Sequence, residues 1–275
     1  MPELPEVETV LRGMENALLG KCIKAVKINR YDLRMPLPQD FGQRLTGKSI
    51  NALERRGKYI IMHIGDNIHV ILHLGMSGRV NIFPPNIPYK AQKHDHVVVT
   101  MGDGACFAFE DARRFGMVYI AEGSWKLEKR FASMGAEPLD DWSGGELYES
   151  LKNKKSPIKS ALLDQRVVAG LGNIYVCETL FRALIDPLRL SNSITAKEAG
   201  DIVKHSRDIL IEAIKAGGSS LKDYKHTDGS LGYFQHSFAV YNREGEKCSN
   251  NKCASNISRI VQSGRSTFYC SSCQK

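Results

Sequence analysis

The sequence predicts an α+β chain in three parts: a leading helix with a run of short strands, a helical second half, and a small cysteine-pinned hairpin at the end. Three observations carry that expectation. Apolar residues recur at helical spacing over the first eighteen positions. Short β-rich runs then follow one another to about residue 121. From about residue 145 the period turns helical, and four clustered cysteines close the chain.

The opening, MPELPEVETV, reads as a well-started helix. Pro5 suits a first turn, where its missing N–H costs nothing. Leu4, Val7, Val10, Leu11, Met14 and Leu18 mark one buried face, and Glu3, Glu6 and Glu8 sit near the positive end of the helix dipole. A second reading stands beside this one. Removal of Met1 ahead of the small residue Pro2 exposes a secondary amine, a nucleophile for which Glu3 is a ready acid–base partner.

The strand region follows. CIKAVKI, KYIIMHI, HVILHL, RVNIF, HVVVTM, CFAFE and MVYIA are separated by turn residues such as GDN, GMSG and GDG, as in a sandwich or barrel. The polar stretch GAEPLDDWSGG is the best candidate for an interdomain linker. Beyond it, SITAKEAGDIVKHSRDILIEAIKAGG is the clearest helix. Thr195 and Glu198 form its capping box, Ile202, Val203, Ile209, Leu210, Ala213 and Ile214 form its apolar stripe, and Gly217–Gly218 end it. The Gly-containing LKDYKHTDGSLGYFQHS after it reads as a mobile loop.

The formal charge is +8, and its distribution is uneven. Residues 1–150 balance 19 Lys/Arg against 19 Asp/Glu, whereas residues 151–275 carry 19 against 11, so the whole excess lies in the second half. That asymmetry suggests a polyanion-binding module beside a charge-balanced one. The acidic N-terminus lacks the apolar core of a secretory signal, and no apolar run is long enough to span a bilayer. Cytosolic placement without a membrane partner is the expectation.

Seven cysteines divide into three scattered ones (Cys22, Cys106 and Cys177) and a C-terminal four. Cys248 and Cys253 are separated by four residues, Cys270 and Cys273 by two, and the pairs by sixteen. Two such knuckles on a hairpin suit one structural Zn2+ with four thiolates and no open position. A segment this small needs metal to fold. Two disulfides are the competing reading, disfavoured in a reducing compartment. Arg265, in GRST at the hairpin tip, is placed to meet a phosphate.

MPELPEVETV, HLGMSGR, KHDHV, DARRFG, LLDQRVVAGLGNIY and the four-cysteine GRSTFYC end, in this order over essentially the whole length, resemble the formamidopyrimidine-DNA glycosylase family. The resemblance implies an N-terminal β-sandwich over 1–135, a helix-two-turn-helix domain over 136–237 and a zinc finger over 238–275. It implies a bifunctional glycosylase and abasic-site lyase of base excision repair, acting as a monomer on double-stranded DNA with oxidised purines or abasic sites. Pro2, Glu3, Lys58 and Arg265 match the family's catalytic positions. Met76, Arg113 and Phe115 match the trio that fills the void left by an extruded base. His94, Arg113, Lys154, Lys159 and Asn173 match DNA-contacting positions, and Ser219 and Ser220 open the lesion-recognition segment.

The sequence departs from the family pattern in three places: the longer first knuckle, Cys177 in place of a small residue, and Asn242 where a left-handed backbone is required. Two alternatives stay open: an endonuclease VIII-type enzyme for oxidised pyrimidines, and a non-catalytic damage-binding protein.

Overall fold

A computed structural model describes residues 1–121, 123–220 and 226–275. The chain forms two compact units, residues 1–132 with 216–233 and residues 133–215 with 234–275.

In the first unit, α1 (Leu4–Leu18) leads into two four-stranded antiparallel sheets. The strands are β1 (Ile23–Ile28), β2 (Ile50–Arg56), β3 (Tyr59–Ile64), β4 (Ile68–His73), β5 (Arg79–Phe83), β6 (Asp95–Met101), β7 (Cys106–Glu110) and β8 (Met117–Ala121). One sheet runs β1-β6-β7-β5 and the other β2-β3-β4-β8. A single core joins them: Val97, Val99, Phe107 and Phe109 from the first sheet meet Leu53, Ile60, Met62, Val70 and Leu72 from the second. Val7, Val10, Leu11, Met14 and Leu18 of α1 enter the same core, which settles the choice between sandwich and barrel for the sandwich. Short helices α2 (Phe41–Leu45) and α3 (Lys129–Ala132) complete the unit.

β2 was absent from the sequence expectation, because INALERR is made of residues that favour helices. Its antiparallel register with β3, from Ile50↔Ile64 to Arg56↔Tyr59, overrides that preference.

In the second unit, α4 (Gly144–Leu151), α5 (Ile158–Leu162), α6 (Asn173–Arg182) and α7 (Ala196–Lys215) are followed by the hairpin β9 (Ser258–Gln262) and β10 (Arg265–Tyr269). The anticipated caps are present. Glu198 Oε2 accepts the Thr195 N–H at 2.8 Å while Thr195 Oγ1 accepts the Glu198 N–H at 3.3 Å. The close approach of α4 to α7 requires glycine at Gly144, where a Cβ would lie 2.6 Å from the Gly200 Cα. Asn242 has φ +60, the left-handed backbone its position was expected to need.

The stretch expected as a linker is instead packed within this unit. Trp142 is buried, Ala136 pairs with Val168, and Arg207 of α7 donates to the Trp142 carbonyl at 3.2 Å. Among the described residues no helix is long and apolar enough to cross a membrane.

Two titratable groups, one buried and one half-buried, contribute to stability. Glu178 of α6, 1% exposed, accepts the backbone N–H groups of Ala239, Val240 and Tyr241 at 2.8, 2.9 and 2.7 Å. Burial pushes its carboxyl up, and the three N–H donors work against that shift. In the other unit, the His73 ring stacks obliquely on Tyr59 with centroids 4.6 Å apart. Burial, with Lys58, Arg34 and Arg130 nearby, pushes its imidazole down to about 4.

Glu178→Gln loses at least one acceptor and sets an amide N–H against backbone donors. Stability should fall by about 2–3 kcal/mol, read from urea unfolding. For His73 the folded protein stays neutral where the unfolded chain already takes up a proton. Stability therefore falls as pH drops from about 6.5 to about 4, by about 3 kcal/mol, and is flat in this group's contribution above that window. Calorimetry of His73→Gln across that range should show a shallower slope than the parent chain.

Candidate active site and nucleic-acid contacts

The N-terminal turn of α1 is held from three directions. Pro2 and Glu3 are buried, and Glu3 is the N-cap residue with an extended backbone. The Glu6 carboxylate, 2% exposed, reaches back so that Oε2 accepts the Glu3 N–H at 2.8 Å. Its Oε1 accepts both the backbone N–H and the hydroxyl of Ser219, at 2.8 and 3.0 Å. Glu6, which the sequence places near the positive end of the helix dipole, caps the helix and ties the 216–233 segment to it. Gly218 (φ +77) makes that approach possible, since a Cβ there would stand 3.1 Å from Glu6 Cγ and Oε1.

Lys58 lies in the two-residue turn between β2 and β3, after Gly57 with φ +57, and is 6% exposed. The turn is fastened to α1 through Arg55, which donates to Glu8 Oε2 at 2.9 Å and to the Gly57 carbonyl at 3.2 Å. One guanidinium thus joins the helix that begins at Pro2 and Glu3 to the turn that carries Lys58. The sequence offered no sign of His73 beside Lys58, because the two meet only through the β3–β4 pairing.

Met76 and Phe115 are 38% and 48% exposed, and Arg113 is exposed with them. They belong to two turns in direct backbone contact: a Cβ on Gly75 (φ +61) would lie 2.4 Å from the Phe115 carbonyl carbon. His94 is half-buried, and its carbonyl accepts the Asp111 N–H at 3.0 Å.

Ser219 is 4% exposed, with both its donors on Glu6, and the Ser220 hydroxyl accepts the Gly232 N–H at 2.9 Å. The next part of the anticipated recognition segment, residues 221–225, lies outside the described residues.

In the second unit, α5 and α6 converge on β10. Lys159, expected at a phosphate, is 1% exposed and donates to the Ser266 carbonyl at 3.0 Å and to Thr267 Oγ1 at 2.7 Å. Asn173 Nδ2 donates to the same carbonyl at 2.9 Å, while its Oδ1 is buried without a protein partner. Both residues therefore support the strand on which Arg265 sits. Arg265 is exposed at the hairpin tip, opposite Gln262 across a turn in which Ser263 and Gly264 both have positive φ (48 and 73). Those angles suit a tight two-residue hairpin turn. Lys154 is half-buried ahead of α5.

The four cysteine sulfurs lie within 4.8 Å of one another. The Cys248–Cys273 and Cys253–Cys270 separations are 3.8 and 3.6 Å, far beyond a disulfide bond. A tetrahedron with metal–sulfur bonds of about 2.3 Å has edges of about 3.8 Å, so the cluster suits a structural zinc ion. The longer first knuckle removes no ligand from it.

Residues 1–118 match the family model described as formamidopyrimidine-DNA glycosylase N-terminal domain, and residues 134–225 match its H2TH domain. Proteins named formamidopyrimidine-DNA glycosylase from Roseobacter denitrificans and Mesorhizobium japonicum are each 50% identical, with all of both chains covered. Among solved structures, a Lactococcus lactis FPG mutant in complex with a Fapy-dG containing DNA superposes with TM-score 0.90 at 35% identity, covering all of both chains. The MutM (FPG) protein of Thermus thermophilus superposes with TM-score 0.87 at 34% identity, covering 99% of this chain and 98% of its own. Full-length identity of this degree, on a fold whose N-terminal turn and four-sulfur hairpin are both formed, places the chain in the formamidopyrimidine-DNA glycosylase family.

Proposed function

We propose that the chain is a bifunctional DNA glycosylase and abasic-site lyase of base excision repair, releasing 8-oxoguanine and formamidopyrimidines through a Schiff base on Pro2. The observation that carries this reading is the buried first turn of α1, which holds Pro2 and Glu3 rigidly and is tied through Glu8 and Arg55 to the Lys58 turn.

The chemistry follows from those groups. With Met1 removed, the Pro2 nitrogen is a secondary amine beside the positive end of α1, which favours its neutral form. It attacks C1′ of the damaged nucleotide, the base leaves with the bond's electron pair, and the proton that the attacking nitrogen sheds passes to the departing base. Glu3 supplies the proton that opens the sugar, and nitrogen donates its pair to form an iminium ion. The iminium acidifies the C2′ proton, whose loss expels the 3′-phosphate in β-elimination. Lys58 acts in proton transfer at this step and Arg265 in the second, δ, elimination. Hydrolysis of the iminium returns Pro2. Holding the reacting groups in place before substrate arrives removes much of the entropic part of the barrier.

Met76, Arg113 and Phe115 fill the gap left by the extruded nucleotide, and Ser219 and Ser220 begin the segment that recognises the damaged base. His94, Lys154 and the N-terminus of α6 at Asn173 hold the backbone. The support that Lys159 gives to β10 makes its contribution to DNA binding run through Arg265, and the Asn173 side chain braces the same strand. Cys248, Cys253, Cys270 and Cys273 hold one structural Zn2+, which supplies folding energy to the hairpin. The protein acts in the cytoplasm as a monomer on damaged double-stranded DNA.

Incubation with a duplex carrying 8-oxoguanine opposite cytosine, followed by borohydride, should leave a DNA adduct on a peptide beginning at Pro2. Trapping on an oxidised-pyrimidine duplex alone would move the chain to endonuclease VIII-type specificity, and binding without trapping would make it a sensor. Pro2→Gly should lose base release by a factor of at least about a hundred while its salt-dependent DNA affinity stays within about threefold. Elemental analysis should find one zinc per chain. Cys270→Ser should lower zinc content and melting temperature together, because metal binding and hairpin folding are one equilibrium.

A further inference from the structure

The two exposed turns that carry Met76 and Phe115 are joined by a side chain with no role in the chemistry above. Asp111 opens DARRFG, is fully buried, and uses both carboxylate oxygens on those turns. Oδ1 accepts the Ser77 hydroxyl at 2.5 Å, and Oδ2 accepts the Gly116 N–H at 2.7 Å. Ser77 closes the ring, since its Oγ accepts the Arg113 N–H at 3.2 Å.

Asp111 is itself pinned at both backbone groups. Its N–H donates to the His94 carbonyl at 3.0 Å, and its carbonyl accepts from His96 Nε2 at 2.7 Å, which fixes that imidazole as the Nε2–H tautomer. Gly75 and Gly116 have no room for side chains at this junction. A Cβ on Gly75 would strike the Phe115 backbone, and one on Gly116 would come within 2.9 Å of Asp111 Oδ2 and of the His73 carbonyl.

We propose that Asp111 is a positioning residue for base extrusion: its buried carboxylate, with Ser77, yokes the Met76 turn to the Arg113–Phe115 turn so that the filling side chains enter the duplex as one rigid piece. The proposal rests on the reading of Met76, Arg113 and Phe115 as void fillers. The physical reason is preorganisation. Unstacking a nucleotide is costly, and fillers that had also to be ordered on insertion would add their own entropy to that cost. Separating the turns would leave a carboxylate buried without its donors, so the yoke resists opening. An abasic site has no damaged base to unstack, so the demand on the yoke is smallest there.

The test uses the zinc-loaded full chain and its variants Asp111→Ala, Asp111→Asn, Ser77→Ala, Met76→Ala and Phe115→Ala. Single-turnover base release is measured on an 8-oxoguanine duplex, and borohydride trapping on a preformed abasic duplex. Asp111→Ala should slow base release about tenfold or more and Ser77→Ala less, with Asp111→Asn between Asp111→Ala and the parent, because its amide can still serve Gly116. Abasic trapping should stay within about threefold for Asp111 and Ser77 variants, and a double variant carrying both Ser77→Ala and Asp111→Ala should release base no slower than Asp111→Ala by more than about twofold.

Equal losses on both substrates, unchanged base release in Asp111→Ala, or additive losses in the double variant would overturn the proposal. If Asp111→Ala does not fold, Ser77→Ala decides alone: a loss confined to base release supports the yoke, and parent-like base release overturns it. Unchanged base release in Met76→Ala and Phe115→Ala would remove the void-filling reading and the yoke with it. A loss there with none in Asp111→Ala would remove only the yoke.

Discussion

Pro2 and Glu3 lie in a buried turn, and their chemistry requires that this turn hold its place. The Glu6 carboxylate is what the rest depends on. It accepts one N–H from Glu3 and two donors from Ser219, more than two hundred residues later in the sequence. Hydrogen bonds to a charged group such as this buried carboxylate are worth about 1.5–3 kcal/mol each, against about 1 kcal/mol or less for an exposed ion pair. With that anchor the helix start is held by buried hydrogen bonds. Arg55 can then transmit the same order to the Lys58 turn.

The second unit uses the same device with different partners. Glu178 gathers three successive N–H groups just ahead of the four-cysteine segment. Lys159 and Asn173 converge on one carbonyl of β10. Cys248 and Cys270 pack in one cluster with Cys177 and Phe181 of α6 and with Phe268. Cys177, an oddity in the sequence, is therefore a small apolar side chain in that packing. An arginine at an exposed hairpin tip owes its aim to these buried supports.

Much of the site was legible because it is written in short motifs. The cysteine spacing implied a four-thiolate cluster, glycines around Met76 and Phe115 implied exposed turns, and Asn242 implied a left-handed backbone. What stayed hidden has a common cause. β2 looks helical by composition, and pairing with β3 decides its state. GAEPLDDWSGG looks like a linker by polarity, yet its Pro, Gly and acids sit around a buried tryptophan and α7 supports its carbonyls. Lys159 looks like any phosphate-seeking lysine until its ammonium is found inside the fold.

By itself, the sequence determined the residue types and their local geometry: which side chains can be nucleophile, acid, cation, wedge or metal ligand, and which glycines permit the turns between them. Those properties depend on neighbours a few positions away, so a linear reading reaches them. Only the tertiary structure decided which of these groups are spent on one another. Glu6 with Ser219, Asp111 with Ser77 and Lys159 with Thr267 are pairings across 213, 34 and 108 positions. Burial makes each pairing compulsory, because a polar group removed from water must find a partner within the fold.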